Sequence, residues 1–202
     1  MFIPHMFNIA QEAEKIAFMK QYSFATIVTA HGHVPIATQL PFFIDDSTDN
    51  LLLCGHFSAA NEQAKYIEAN TSLVIFSEPH AYISPAHYDK RESVPTWDYI
   101  AVHAYGTANL VTEEAAKAKA LEQMIRFYEP AYLEQWQQLS EKYRKGMMRG
   151  IIAFELLVTD LQGQQKLRQN KSVAERERIV QQLQKSDSTT EQDLARYIRD
   201  TI

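Results

Sequence analysis

Residues 80–106, HAYISPAHYDKRESVPTWDYIAVHAYG, hold three histidines, four tyrosines and one of the chain's two tryptophans. Flat side chains with polar tips suit metal ligation, stacking on nucleic acid, an aromatic-ligand pocket, or a subunit face. In YIAVHAYG the period of two puts Tyr99, Ala101, His103 and Tyr105 on one face of a strand and Ile100, Val102 and Ala104 on the other. The second face is an ordinary core face. The first is aromatic yet polar, and fits either a flat ligand or a second subunit. His80, His87 and His103 follow no metal-ligand spacing, and Asp89, Glu92 and Asp98 add none. No metal site is read.

Other chemistry is thinner. No G-x-S-x-G motif occurs, and the single cysteine, Cys54, sits in an apolar run as a small core residue. Neither a Walker loop nor G-x-G-x-x-G is present. The stretch GHFSAANEQAK offers an anion site instead: Gly55 at an expected strand end, then Ser58, Asn61 and Lys65 around an expected helix start. Lys65 is the only lysine or arginine in 46–89. The basic run KLRQNKSVAERER (166–178) carries mixed charge and reads as a solvated helix start.

The elements that must position these residues alternate between strand and helix. Runs rich in β-branched and aromatic residues predict strands at 23–30, 34–44, 51–57, 72–77, 99–111 and 150–161. Helices are expected over 8–21, capped by Asn8, and over 58–69. Two more are expected over 113–128, stopped by Pro130, and over 172–184, opened by a Ser172/Glu175 capping box. A last helix is expected over 190–200. The early strands follow one another too closely for parallel crossovers. The expectation is therefore mainly β with α: a small antiparallel barrel with peripheral helices. Domain limits are set at 1–170 for the barrel and 171–202 for a helical appendage.

With 202 residues, the chain is long enough to bury roughly 70% of its unfolded surface. One cysteine excludes an intrachain disulfide and points to a reducing compartment. No segment reads as a signal peptide or reaches the ~20 apolar residues of a membrane span. A cytoplasmic protein is expected. The net charge of −5 disfavours a broad nucleic-acid footprint, and no helix-turn-helix spacing appears.

Taken in order, MFIPHMF, SFATIV, PIATQLPFFID, GHFSAANEQ, VIFSEPHAYISPAHY, VPTWDYIAVHAYG and KLRQNKS resemble the PaiB-like proteins, the FMN-binding negative transcriptional regulators. The resemblance covers about residues 1–185. It implies a split antiparallel β-barrel of the kind shared with pyridoxamine-phosphate oxidases and flavin reductases, a homodimer, and FMN in the groove between subunits. It also implies a regulatory role and leaves direct DNA contact open. Carried onto this chain, Ala25, Thr26, Thr38 and Gln39 would border the flavin. Gly55, His56, Asn61 and Lys65 would meet its ring edge or phosphate. Trp97 and His103 would cover the groove, and Lys166, Gln169 and Asn170 of the KLxQN motif would close it. Two positions depart from the family pattern: Gln39 stands where a histidine is common, and Ala59 where an arginine is common. The alternatives are an FMN-dependent oxidoreductase or flavin reductase, and a protein for another flat ligand such as haem, on the same fold. No catalytic residue is assigned.

Overall fold

The computed structural model describes residues 1–202. Seven strands form an antiparallel sheet: β1 (Phe24–His31), β2 (Val34–Pro41), β3 (Phe43–Asp45), β4 (Leu52–Ser58), β5 (Thr71–Ile83), β6 (Thr96–Val111) and β7 (Ile151–Lys166). Their hydrogen-bonded order is β2-β1-β5-β6-β7-β4-β3. Six helices surround them: α1 (Glu12–Gln21), α2 (Glu114–Tyr128), α3 (Tyr132–Gln138), α4 (Glu141–Arg149), α5 (Val173–Leu183) and α6 (Thr189–Asp200). This is the expected mainly β class with peripheral helices. No helix is long and apolar enough to cross a membrane.

Several boundaries differ from expectation. The run 34–44 splits into β2 and β3 at Phe42, whose backbone N–H turns to Ser23 O at 2.9 Å. Helix α1 starts at Glu12, because Asn8 bridges antiparallel to Gln164 and cannot cap a helix. The helix expected over 58–69 is only a 3-10 turn, Glu62–Lys65, capped by Asn61. Helices α3 and α4 were not anticipated. One is a single seven-residue piece, and the other is polar on most of its length.

Contacts divide the chain into two units. One comprises Ile16–Phe76 and His103–Leu161. Its centre is a ring cluster: Phe57 stacks on Phe154 at 4.9 Å, and Phe42 meets Phe154 and Phe76 at 6.2 and 5.9 Å. Gly55 lies in the middle of β4, where a Cβ would stand 3.0 Å from Phe154 Cζ. Gly106 on β6 is more constrained, since a Cβ there would lie 2.1 Å from Leu157 O on β7.

The other unit comprises Met1–Lys15, Ser77–Val102 and Gln162–Ile202. Helices α5 and α6 bury Ile179, Val180 and Leu183 with Leu194, Ala195 and Ile198. The Ser172/Glu175 capping box is present. Arg176 donates to Ile198 O and Thr201 O at 3.1 and 3.0 Å, satisfying carbonyls at the end of α6. Segment 85–92 is tied to α5 and to the turn before it: Arg178 Nε of α5 donates to His87 O at 2.8 Å, and Lys171 sits 3.9 Å over the Tyr88 ring.

Candidate functional site

In the first unit, the expected Thr38 and Asn61 belong to a closed polar network. Asn61 Oδ1 accepts from Gln63 N at 2.9 Å, and Asn61 Nδ2 donates to Thr38 Oγ1 at 3.0 Å. Thr38 Oγ1 donates to Gln63 Oε1 at 2.6 Å. Gln63 Nε2 then donates to Ile27 O and Thr29 Oγ1, both at 3.1 Å, and Thr29 shares a 2.7 Å hydrogen bond with Ser72. Gln63, Thr29 and Ser72 are fully buried. A satisfied buried network fixes its members in one arrangement. It holds the Asn61 turn against β1 and β2. Sequence reasoning missed Gln63, Thr29 and Ser72, which bond across strands that are distant in the chain.

Strand register separates the other early candidates. Ala25 is opposite Leu40 and Thr26 opposite Gln39, so the two pairs project to opposite faces of β1 and β2. Ala25 is buried, Thr26 is half-buried, and Gln39 is exposed. The half-buried face of β1 and β5 continues through Val28, Leu73 and Ile75, with Thr26 opposite Ile75 and Val28 opposite Leu73.

The expected strand-end glycine and helix start do not form. Gly55 is interior to β4, and the 3-10 turn after it is too short for a helix-terminus site. Lys65 ends that turn, exposed and without an ion pair. His56 is half-buried beside Leu121 and Met124 of α2, and burial holds its pKa below the usual histidine value. Cys54, in the same place, has its thiol pushed up to about 12, chiefly by burial, and is not a nucleophile. His103 is half-buried on β6. Burial lowers its pKa, and its Nδ1 is out of solvent without a hydrogen-bond partner.

In the second unit, Lys166 is the pivot. Its Nζ donates to Thr96 Oγ1 at 2.6 Å and to Trp97 O at 2.7 Å. An ammonium has three N–H groups, so one remains for a ligand. Burial, then the Arg168 charge, lowers its pKa. Trp97 is 54% exposed. Its ring meets His80 at 6.0 Å in a tilted contact and Tyr82 at 6.1 Å in an edge-to-face contact. His80 and Tyr82 were not chosen from sequence. Their place two residues apart on β5 was hidden because that strand was expected to end at 77.

Next to Trp97 in β6 is Asp98, completely buried, with Arg168 Nε 2.9 Å from Oδ1. Burial raises the Asp98 pKa to about 6, outweighing the Arg168 charge. Arg168 adopts φ 57°, a left-handed conformation uncommon for its type. Gln169 closes the same turn: it accepts from Leu167 N at 2.8 Å and donates to Gln165 O at 2.7 Å. Gln169 is therefore structural in this arrangement. Asn170 is exposed.

These residues fit a flavin's demands by type. A half-exposed indole and a lysine N–H are the kinds of group that stack on a ring system and hold an anion.

Residues 1–160 match the family described as "Putative FMN-binding domain". The chain is 36% identical to Protease synthase and sporulation protein PAI 2 of Bacillus subtilis over 208 residues, covering 100% of this chain and 98% of that one. It is 25% identical over 202 residues to an uncharacterized protein of Emericella nidulans, covering 84% and 80%. The solved flavocytochrome Anf3 of Azotobacter vinelandii has a TM-score of 0.64 at 16% identity, covering 80% of this chain and 70% of that one. The FAD and heme binding protein from Mycobacterium smegmatis has a TM-score of 0.61 at 12% identity, covering 79% and 73%. At such identities the likeness is one of fold, and that fold is the expected split barrel.

Proposed function

The chain belongs to the FMN-binding domain family of the PaiB-like proteins, and on that premise we propose that it is a flavin-binding regulator, cytoplasmic and homodimeric, that takes FMN. The half-exposed Trp97 ring, with the Lys166 ammonium held on Trp97's own carbonyl, is the observation that carries this reading. Trp97 offers a stacking face, flanked by His80 and Tyr82. The spare N–H of Lys166 offers a charged donor to phosphate or a ring carbonyl. In the other unit, Thr38 and Asn61 hold the 3-10 turn that ends at Lys65.

When bound, FMN supplies the redox chemistry. The chain binds and orients the ring. No side chain is assigned a proton-transfer role. The regulatory part rests on the name of the Bacillus subtilis relative. With a net charge of −5, regulation through a ligand or protein partner is favoured over a broad DNA contact. A flavin reductase or a haem-binding protein on the same fold is the competing reading.

The test is the absorption spectrum of the purified protein followed by FMN titration of wild type, Trp97→Ala and Lys166→Ala. FMN binding is expected, with each variant weakened by about 1.5–3 kcal/mol. A protein that binds no FMN at micromolar concentration, or binds it equally well in both variants, sinks the reading. A haem spectrum replaces it with the competing one.

A further inference from the structure

Helices α2, α3 and α4 line a cavity of about 450 Å³, within the roughly 300–1,000 Å³ range of small-molecule sites. None of its lining residues belongs to the flavin set. Trp136 and Met148, each 7% exposed, are its most buried members. They give it an apolar, partly aromatic surface against which a flat body can pack.

The charges around it divide into committed and free groups. Glu113 accepts from Ala115 N at 3.2 Å and from Ala116 N at 2.7 Å, capping α2. Lys145 lies 3.1 Å from Glu114 and 2.8 Å from Glu141. These contacts raise the Lys145 pKa and lower that of Glu141. Two half-buried lining groups are left, Glu122 and Arg144. Arg144 Nε is out of solvent with no hydrogen-bond partner. Glu122 forms no ion pair. A buried polar group left unmatched carries a penalty that a ligand removes. A purely anionic ligand would satisfy Arg144 but face Glu122, and a purely cationic one the reverse.

We propose that this cavity binds a small zwitterion, an amine and a carboxylate on an apolar body. Arg144 receives the carboxylate, Glu122 the ammonium, and Trp136 with Met148 the apolar part. The proposal does not depend on flavin binding.

Calorimetric titration of the full chain with L-phenylalanine, 3-phenylpropionate and phenethylamine tests it. L-Phenylalanine is expected to bind, and each probe lacking one charge to bind about tenfold more weakly or worse, as loss of one charged hydrogen bond implies. Arg144→Gln should remove the advantage of L-phenylalanine over phenethylamine while keeping that over 3-phenylpropionate. Glu122→Gln should do the reverse. This crossed pattern separates ligand contact from general unfolding. No heat with L-phenylalanine at millimolar concentration overturns the proposal. So does equal binding of the three probes, or an unchanged L-phenylalanine affinity in either variant.

Discussion

Asp98 is a carboxylate with no access to solvent, held by Arg168 at 2.9 Å. Two effects oppose each other there. Burial favours the neutral acid, and the Arg168 guanidinium favours the carboxylate. Burial wins, and the pKa stands near 6 against an ordinary 3.8. The folded chain therefore holds this proton more tightly than the unfolded chain does. The resulting stabilisation is complete below about pH 4 and is lost as pH rises through about 6. The expected signature is a difference in unfolding free energy, wild type minus Asp98→Asn, that falls by about 2–3 kcal/mol between pH 4 and 7. Urea unfolding of both proteins across that range measures it. A flat difference would mean that Arg168 keeps Asp98 ionised throughout. The sequence displayed Asp98 only as one acid among three in a loop. Its burial and its partner depend on the turn 166–170 folding back onto the start of β6, which no local pattern reveals.

At the scale of elements, the strands were readable because runs of β-branched and aromatic residues mark them in sequence. β6 follows the reading in part: Ile100, Val102 and Ala104 are buried and Tyr99, His103 and Tyr105 half-buried, but Ala101, read on the polar face, is buried as well. The capping box of α5 was equally plain, because both partners lie within one turn. What failed was the stretch after β4. SAANEQAK has helix-forming residues, but Gln63 is drawn into β1 by Ile27 O and Thr29, which stops the turn from propagating. A long-range hydrogen bond overrode local propensity. The same scale explains the glycine of the YG pair. With Leu157 O at 2.1 Å and Leu156 Cδ2 at 2.4 Å from a built Cβ, β6 and β7 tolerate no side chain at position 106. Gly106→Ala is expected to cost about 3 kcal/mol, near the upper end for overpacking, because the obstacle is backbone. Gly55→Ala, whose Cβ meets the Phe154 ring tip at 3.0 Å, should cost less. Chemical denaturation of the two variants ranks them, and an equal or reversed order would contradict the packing argument.

For the whole molecule, both units expose large apolar side chains, Phe24, Val34, Tyr143 and Met147 among them in the unit of Ile16–Phe76 and His103–Leu161. Phe2, Met6, Tyr82, Val94 and Trp97, between 49% and 87% exposed, all belong to the unit of Met1–Lys15, Ser77–Val102 and Gln162–Ile202. Three of them are bulky aromatics, and leaving such groups in water forgoes on the order of 25 cal/mol per Å² of apolar surface. A second copy of the chain is the partner that the family resemblance supplies, and a permanent pair buries roughly 2,000 Å² or more in total. Sedimentation at micromolar concentration should give a dimer. Trp97→Ala should weaken association by about 2–4 kcal/mol, as for a central interfacial tryptophan. Trp97 does not plug the interior of its own sheet, since its ring is half exposed. Its removal should therefore change dissociation more than the unfolding of each subunit. A stable monomer in the wild type, or a Trp97→Ala dimer that melts earlier without dissociating more readily, would assign these exposed rings to something other than a subunit face.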